Sequence, residues 1–147
     1  MRELLSTTAR GRTVSFNVPG LARAKARAAS NGRRSFVDPE TAMFQNLVKF
    51  AAAKALGSQP MLKGAVAVHM TVFYQPPIST PPSMLAKMLG GVEHAAKRPD
   101  IDNLAKVIMD GCQGVLYAND LLVVELVAVK VYAEAPGVQV TVIEIVG

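Results

Sequence analysis

Two aspartates and a lysine stand close together in the segment of residues 97–111, which reads KRPDIDNLAKVIMDG. Lys106 follows Asp102 by four residues, so the two side chains share one face of a helix, one turn apart. Asp100 immediately precedes this helix, and a third acid, Asp120, stands just before the next apolar run. Carboxylate oxygens are the ligands that Mg²⁺ and Mn²⁺ prefer. These residues therefore have the chemistry needed to hold a divalent cation against a phosphate.

The segment that follows Asp100 has the periodicity of an amphipathic helix. Its apolar side consists of residues spaced three or four apart: Ile101, Leu104, Ala105, Ile108 and Cys112. At about 100° per residue, the polar side falls within an arc of roughly 80°. That polar side contains Asp102, Lys106, Asp110 and Gln113. Gly111 and Gly114 fit the end of this helix, because glycine adopts a left-handed conformation at low cost.

A purely structural explanation of these acids stays open on this pattern alone. Asp100 can serve as an N-cap, and Asp102 as a first-turn acid favoured by the helix dipole. Asp102 and Lys106 would then form a surface pair worth a few tenths of a kcal/mol. Asp120 lies outside that explanation, because it begins a separate predicted strand whose end can bring it towards the helix start.

Alternating strand and helix signals surround the motif. Period-two patterns predict strands over residues 13–18, 64–74 and 138–145, and a continuous apolar run predicts a strand over 121–132 that is covered on both faces. Asp38 as N-cap, Pro39 at the first position and Gly57 as a stop predict the first long helix. Its expected apolar stripe is Phe44, Leu47, Val48, Ala51 and Ala55. Pro136 and Gly137 predict a turn that joins the last two strands in a hairpin.

These elements follow one another in the order β-α-β-α-β-β. They predict an α+β fold, with a small mixed sheet of about four to five strands and two main helices, in a single domain spanning residues 1–147. Two long connections interrupt it, a basic loop at about residues 21–37 and a flap or loop at about 75–98, in which residues 84–89 are helix-prone. At the end of this flap, His94, Lys97 and Arg98 either contact substrate or are ordinary exposed loop residues. The strand residue His69 is expected to be hydrogen-bonded or at the surface rather than a metal ligand.

Positive charge is concentrated in the N-terminal quarter of the chain. No acid occurs in residues 4–37, whereas ten acids outnumber eight basic residues after residue 37. The basic residues of the N-terminal stretch are Arg10, Arg12, Arg23, Lys25, Arg27, Arg33 and Arg34. Such asymmetry is typical of a protein that binds a polyanion, because each neutralised phosphate releases counterions. A solvated basic surface without a partner is the alternative.

Composition also predicts a cytoplasmic protein without a membrane partner. No apolar stretch approaches the roughly 18 residues that a membrane-spanning helix needs, and the N-terminus lacks the apolar region of a secretory signal. The single cysteine, Cys112, has no partner for an internal disulfide. Its position on the apolar side of a helix predicts a buried and unreactive thiol.

The central motif resembles the RusA family of Holliday junction endodeoxyribonucleases. The resemblance rests on residues 97–111 and on the Asn-Asp pair at 119–120. Near the N-terminus, residues 18–20 and the basic residues after them are similar to the family's strand, glycine turn and basic stretch. The similarity covers most of the chain. One departure follows Asp120, where residues 121–123 are Leu-Leu-Val and many relatives carry polar side chains.

The resemblance implies a homodimer with a mixed sheet, often encoded by phage or prophage, that cuts four-way DNA junctions. It implies one or two Mg²⁺ ions per site, with Mn²⁺ as a substitute, and no nucleotide cofactor. By position, the residues assigned to catalysis are Asp100, Asp102, Lys106 and Asp120, with the three aspartates as metal ligands. Asp110 and Asn103 would support them. The residues expected to contact DNA are Arg23, Lys25, Arg27, Arg33, Arg34, Lys97 and Arg98.

Three functions follow from these observations. The leading hypothesis is a magnesium-dependent, structure-selective endodeoxyribonuclease whose dimer makes paired nicks in a Holliday junction. Activation of water by metal and stabilisation of the phosphate by Lys106 would require no nucleophilic side chain. The alternatives are a basic nucleic-acid-binding protein whose acids only cap a helix, and a junction binder that has lost turnover through the changed segment after Asp120.

Overall fold

The computed structural model describes residues 10–24 and 38–146 of the chain. In chain order the described elements are β1 (Arg10–Pro19), α1 (Pro39–Leu56), β2 (Val66–Tyr74), α2 (Pro82–Leu89), α3 (Ile101–Cys112), a 3₁₀ turn (Asp120–Leu122), β3 (Val123–Tyr132) and β4 (Gly137–Ile145). They confirm the predicted α+β class and add one short helix, α2, where the sequence marked a helix-prone piece. None of the described helices is long and apolar enough to span a membrane.

The four described strands form one mixed sheet in the order β1-β4-β2-β3. Strand β4 is antiparallel to both β1 and β2, whereas β2 and β3 run parallel. The predicted hairpin between the last two strands is therefore wrong, because β4 lies between β1 and β2. A turn sequence sets only the local reversal of the chain. The choice of partner follows burial, since the alternate β4 residues Val138, Val140 and Val142 are all buried.

Strand β3 lies at the edge of the sheet, so the prediction of a strand covered on both faces is also wrong. Val127 and Val129 point to the same face as His69 and Thr71 of β2, and Leu126 points to the opposite face, beside Val68. These three apolar residues of β3 are 42–45% exposed. A continuous run of apolar residues does not distinguish a central strand, buried by other parts of the same chain, from an edge strand that the chain leaves exposed.

Helix α1 begins and ends at the predicted residues. The Asp38 carboxylate accepts hydrogen bonds from the backbone N–H groups of Glu40 and Thr41 at 3.1 and 3.3 Å, and Gly57 follows the last turn. The buried residues of α1 are Thr41, Phe44, Val48 and Ala52. Of the predicted apolar stripe, Leu47 and Ala55 are exposed instead, because the helix turns a different arc towards its neighbours.

Helices α1 and α3 contact each other and contribute to the same apolar core as β1, β2 and β4. At their contact, a Cβ atom added to Gly111 would lie 2.7 Å from Val48 Cγ1. Gly111 therefore permits the close approach of the two helices, while α3 continues past it to Cys112. The left-handed residue after the helix is Gly114, whose φ angle is 83°.

The opposite face of the sheet carries polar side chains. His69 Nε2 lies 2.6 Å from Glu125 Oε2 on the neighbouring strand, and the Ser15 and Thr141 hydroxyls are 3.0 Å apart. His69 is thus the hydrogen-bonded strand residue that the sequence predicted.

Candidate active site along helix α3

The N-terminal end of α3 carries two exposed acids. Asp100 occupies the N-cap position, but its side chain makes no capping hydrogen bond. The Asp102 carboxylate, inside the first turn, accepts a local hydrogen bond from the backbone N–H of Asn103 at 3.0 Å. A helix that needed Asp100 only as a cap would use its side chain. The purely structural explanation of this acid therefore finds no support in the geometry.

The segment before α3 is tied to the edge strand. Lys130 of β3 donates hydrogen bonds to the carbonyl oxygens of Lys97 and Pro99, the latter at 3.0 Å. A lysine ammonium has three donors, and here two of them are bound to one short stretch of backbone. The position of Asp100 relative to the sheet is consequently fixed by β3.

The C-terminal half of α3 carries a second group of charges. Lys106 Nζ lies 3.3 Å from Asp110 Oδ1 and 3.4 Å from Asp110 Oδ2, one turn further along the helix. Lys106 and Asp102 share a face, as the spacing predicts, but the ion pair of this lysine is with Asp110. The lysine side chain is 69% exposed, so its ammonium is accessible to a phosphate.

Asp120 is held next to this second group by two polar side chains. Gln113 Oε1, just beyond α3, accepts a hydrogen bond from the Asp120 backbone N–H at 2.9 Å. Asn119 caps the 3₁₀ turn by accepting from the Leu121 N–H at 2.8 Å. These contacts bring Asp120 to the end of α3 that carries Asp110, rather than to the helix start that the sequence suggested.

The carboxylate of Asp120 has an unsatisfied oxygen. Its Oδ1 atom is buried and has no hydrogen-bond partner within residues 10–24 and 38–146. Burial raises the pKa of this carboxyl and the neighbouring charge of Asp110 raises it further, whereas the charge of Lys106 and the nearby Tyr117 hydroxyl lower it. Unpartnered buried carboxylate oxygens are costly, so this geometry would be stabilised by a cation.

The cysteine and tyrosine side chains near Asp120 are not suited to act as nucleophiles. Burial, followed by the charge of Asp120, raises the pKa of the Cys112 thiol to about 12. The hydroxyl of buried Tyr117 donates a hydrogen bond to the Met109 carbonyl at 3.1 Å. The buried, protonated thiol agrees with the unreactive cysteine that the sequence predicts, and covalent catalysis has no candidate here.

The three aspartates assigned to metal binding do not form one cluster. No group of three or more His, Cys, Asp or Glu side chains suited to a metal occurs in the part of the chain that the structure describes. Asp102 lies eight residues from Asp110, which is about 12 Å along the helix axis. Asp120 instead adjoins Asp110, which the sequence had placed in a supporting role. The signal for Asp110 was present in the sequence, since it shares the polar face of Asp102 and Lys106.

The donor set at the end of α3 nevertheless fits a hard divalent cation. Asp110 and Asp120 supply carboxylate oxygens, and one of these oxygens is buried without a partner. Mg²⁺ is commonly bound by one or two protein carboxylates with water in its other positions. A two-carboxylate site therefore suffices for it.

The basic residues assigned to DNA binding are only partly within the described structure. Arg23 forms an ion pair with Glu40 at 3.0 Å, and the Lys97 ammonium lies 5.5 Å from the centre of the Tyr74 ring. Arg98 is exposed beside Lys97. The other four, Lys25, Arg27, Arg33 and Arg34, lie outside the described residues.

The chain is similar to known proteins over most of its length. The family model of endodeoxyribonuclease RusA matches residues 17–143, which include α3 and Asp120. The uncharacterized protein YqaN of Bacillus subtilis (strain 168) is 26% identical over 117 residues, which are 78% of this chain and 82% of YqaN. The family match extends over most of the chain, and the chain therefore belongs to the RusA family of endodeoxyribonucleases.

Proposed function

We propose that the protein is a magnesium-dependent, structure-selective endodeoxyribonuclease that resolves Holliday junctions, with Mn²⁺ as a possible substitute metal. The observation that carries this proposal is the unpartnered, buried Oδ1 atom of Asp120, next to Asp110 and close to Lys106. Within a family of DNA endonucleases, such a carboxylate pair beside a lysine is suited to hydrolysis of a phosphodiester.

In this proposal the residues of α3 and Asp120 have separate roles. When bound, the cation would supply Lewis-acid activation of water and of the phosphate. Asp110 and Asp120 would hold it, and the exposed Asp100 and Asp102 extend the acidic surface towards the start of the helix. Lys106 would exchange its ion pair with Asp110 for a phosphate oxygen, placing positive charge where negative charge grows in the transition state.

DNA would be positioned mainly through its phosphates. Arg23, Lys97 and Arg98 lie near the start of α3, and the exposed pair of Arg23 with Glu40 is weak enough to yield to a phosphate. Such contacts fix the position of the DNA without reading its sequence. Preference for a branched substrate would then follow from shape and deformability.

We propose that a second copy of the chain pairs with the edge of the sheet at β3. Among residues 10–24 and 38–146 no strand pairs with the outer edge of β3, and this strand has half-exposed apolar residues on both faces, among them Leu126, Val127 and Val129. An exposed apolar edge of this kind favours pairing with another strand. A two-fold dimer would present one site to each of two opposed strands of a four-way junction, as paired nicking requires. Sedimentation of the protein and of Val127→Lys tests this arrangement, with a shift to monomer expected for the variant.

The activity is tested with a synthetic four-way junction and a linear duplex of the same sequence, each with and without Mg²⁺. We expect nicking of the junction only, and only with metal. Asp102→Asn and Asp120→Asn should bind the junction near the wild-type affinity while cleavage falls about a thousandfold. Glu134→Gln, an exposed acid in the turn before β4, is the matched control and should cleave normally.

Two outcomes would contradict the proposal. Full cleavage by Asp102→Asn and Asp120→Asn would show that these acids do not act in the reaction. Junction binding by the wild-type protein without nicking under any metal would identify a junction binder that has lost turnover.

A further inference from the structure

A cavity of about 570 Å³ adjoins the start of α3. We call it the Tyr74 cavity; it is lined by Tyr74, by residues 21–24, by the start of α1 (Asp38, Glu40 and Thr41), by residues 97–100 and by Asn103. Asp100 and Asn103 belong to the same helix turn as Asp102, so the cavity is continuous with the acidic surface. Its volume lies within the range of about 300–1,000 Å³ that is usual for ligand pockets.

The inner part of the Tyr74 cavity is lined by buried residues that are mostly apolar, together with Thr41 and the hydroxyl of Tyr74. Ala22 and Ala24 are 1% and 5% exposed, and Tyr74 is 1% exposed. The Tyr74 hydroxyl is buried and has no hydrogen-bond partner among the described residues. Burial raises the pKa of this hydroxyl, so it stays protonated and able to donate. A buried hydroxyl without a partner is costly, and a ligand that hydrogen-bonds to it would recover that free energy.

Charge in the lining separates the inner part of the cavity from its rim. Lys97 and Arg98 are exposed at the rim, and Lys97 lies over the Tyr74 ring. Three acids, Asp38, Glu40 and Asp100, also line the cavity and would repel an anion placed inside it, although Glu40 is paired with Arg23. The polar side chains that remain are those of Thr41, Tyr74 and Asn103, which are neutral and can both donate and accept.

This distribution matches the two parts of a nucleotide. A neutral base with hydrogen-bonding edges fits the inner part, and its flanking phosphates fit the cations of the rim. Extruding a base costs a few kcal/mol, least where pairing and stacking are already disturbed, as at the branch point of a junction. A free phosphate would match only the cations of the rim, and a stacked duplex would leave the neutral inner part of the cavity empty.

We propose that the Tyr74 cavity binds one unstacked base of the cut strand, at the opposite end of α3 from Asp110 and Asp120, and thereby makes cleavage depend on the DNA sequence. The proposal rests on the proposed function, since it assumes a DNA substrate at α3. Tyr74 and Asn103 would read the edge of the base, and Lys97 and Arg98 would hold the adjoining phosphates. Tyr74 acts in substrate binding and takes no part in bond cleavage.

Two measurements test this binding site. In the first, 2-aminopurine replaces single bases around the branch point of a junction, and fluorescence is recorded on binding with Ca²⁺ in place of Mg²⁺. We expect one position to brighten as its base leaves the stack, with a smaller response for Tyr74→Phe. In the second, cleavage is measured on junctions that differ only at that base, and the ratio of preferred to disfavoured sequences should fall about five- to tenfold in Tyr74→Phe.

Controls distinguish the binding site from a general effect on the fold. Tyr132→Phe removes a hydroxyl from the residue that pairs with Tyr74 in β3 but lies outside the cavity, so the sequence preference should be unchanged. Tyr74→Phe should unfold at the same or a higher temperature than the wild-type protein, because it removes an unpartnered polar group.

The outcomes separate this proposal from the proposed function. Cleavage with an unchanged sequence ratio in Tyr74→Phe, and no brightening at any position, would overturn the base-binding site alone. Brightening that depends on Tyr74, without cleavage by the wild-type protein, would support the site and overturn the nuclease activity.

Discussion

The two ends of helix α3 have aspartates in different environments. At the N-terminal end, Asp100 and Asp102 are exposed, and the backbone before them is held by Lys130 of β3. At the C-terminal end, Asp120 is held by side chains, and its buried Oδ1 atom has no hydrogen-bond partner in the described part of the chain. An exposed carboxylate is satisfied by water, whereas a buried one needs a cation or a proton. The proposed metal would therefore bind at the end of the helix, while the start of the helix faces the Tyr74 cavity and the exposed cations Lys97 and Arg98.

Among the changes that compare the two ends of α3, the largest effect is expected in the Mg²⁺ requirement of Asp110→Asn. Asp110→Asn removes a carboxylate from the pair with Asp120, so we expect cleavage to fall about a hundredfold and half-saturation to need more Mg²⁺. The measurement is a Mg²⁺ titration of junction cleavage, with Asp100→Asn in parallel for the N-terminal end. If Asp110→Asn matched the wild-type protein, Asp110 would have the purely supporting role that the sequence suggested.

A smaller effect is expected where the two helices meet. Gly111→Ala introduces a Cβ atom that would lie 2.7 Å from Val48 Cγ1, so we expect a loss of about 1–3 kcal/mol in the free energy of unfolding. Urea denaturation of the variant measures it. The double variant Gly111→Ala with Val48→Ala should be less destabilised than the sum of the two single changes, because it relieves the clash. Additive losses would show that α1 and α3 do not pack at this glycine.

The smallest effect concerns the stability of the metal-free protein as a function of pH. The folded chain raises the pKa of the Asp120 carboxyl above its unfolded value, mainly through burial and Asp110. The folded state then binds more protons than the unfolded state, so the free energy of unfolding falls as pH rises through the raised pKa. Urea denaturation across the acid range should show this slope in the wild-type protein and a weaker one in Asp120→Asn. An identical slope in both would mean that Asp120 is not titrated at a raised pKa.

Much of the fold could be predicted because its elements carry local signals. Asp38 and Gly57 mark the ends of α1, and the apolar period of residues 101–112 marks α3. The errors concern contacts between distant segments. The turn at Pro136 and Gly137 predicts a hairpin of β3 and β4, but β4 pairs with β1 and β2, because strand pairing depends on where its buried valines pack in the core.

The candidate site, like the fold, could be predicted only where its residues carry local signals. Spacing identifies Asp100, Asp102 and Lys106 as groups on one helix, and their family resemblance extends to Asp120. The spacing does not identify the residues that lie next to Asp120. Its position depends on the loop through Gln113 and Asn119, which returns the chain to the end of α3. Tyr74 was missed entirely, since a strand tyrosine carries no local sign that its hydroxyl lacks a partner.

Residue patterns alone indicate a helix with acids and a lysine along one face, a basic N-terminal stretch and an α+β order of elements, because periodicity and capping act within a few residues. The folded chain is needed to see that Asp120 lies beside Asp110, that β3 is at the edge of the sheet, and that separate segments enclose a cavity beside Asp100. Burial and unsatisfied polar atoms arise from packing between segments far apart in the chain, so local patterns do not report them.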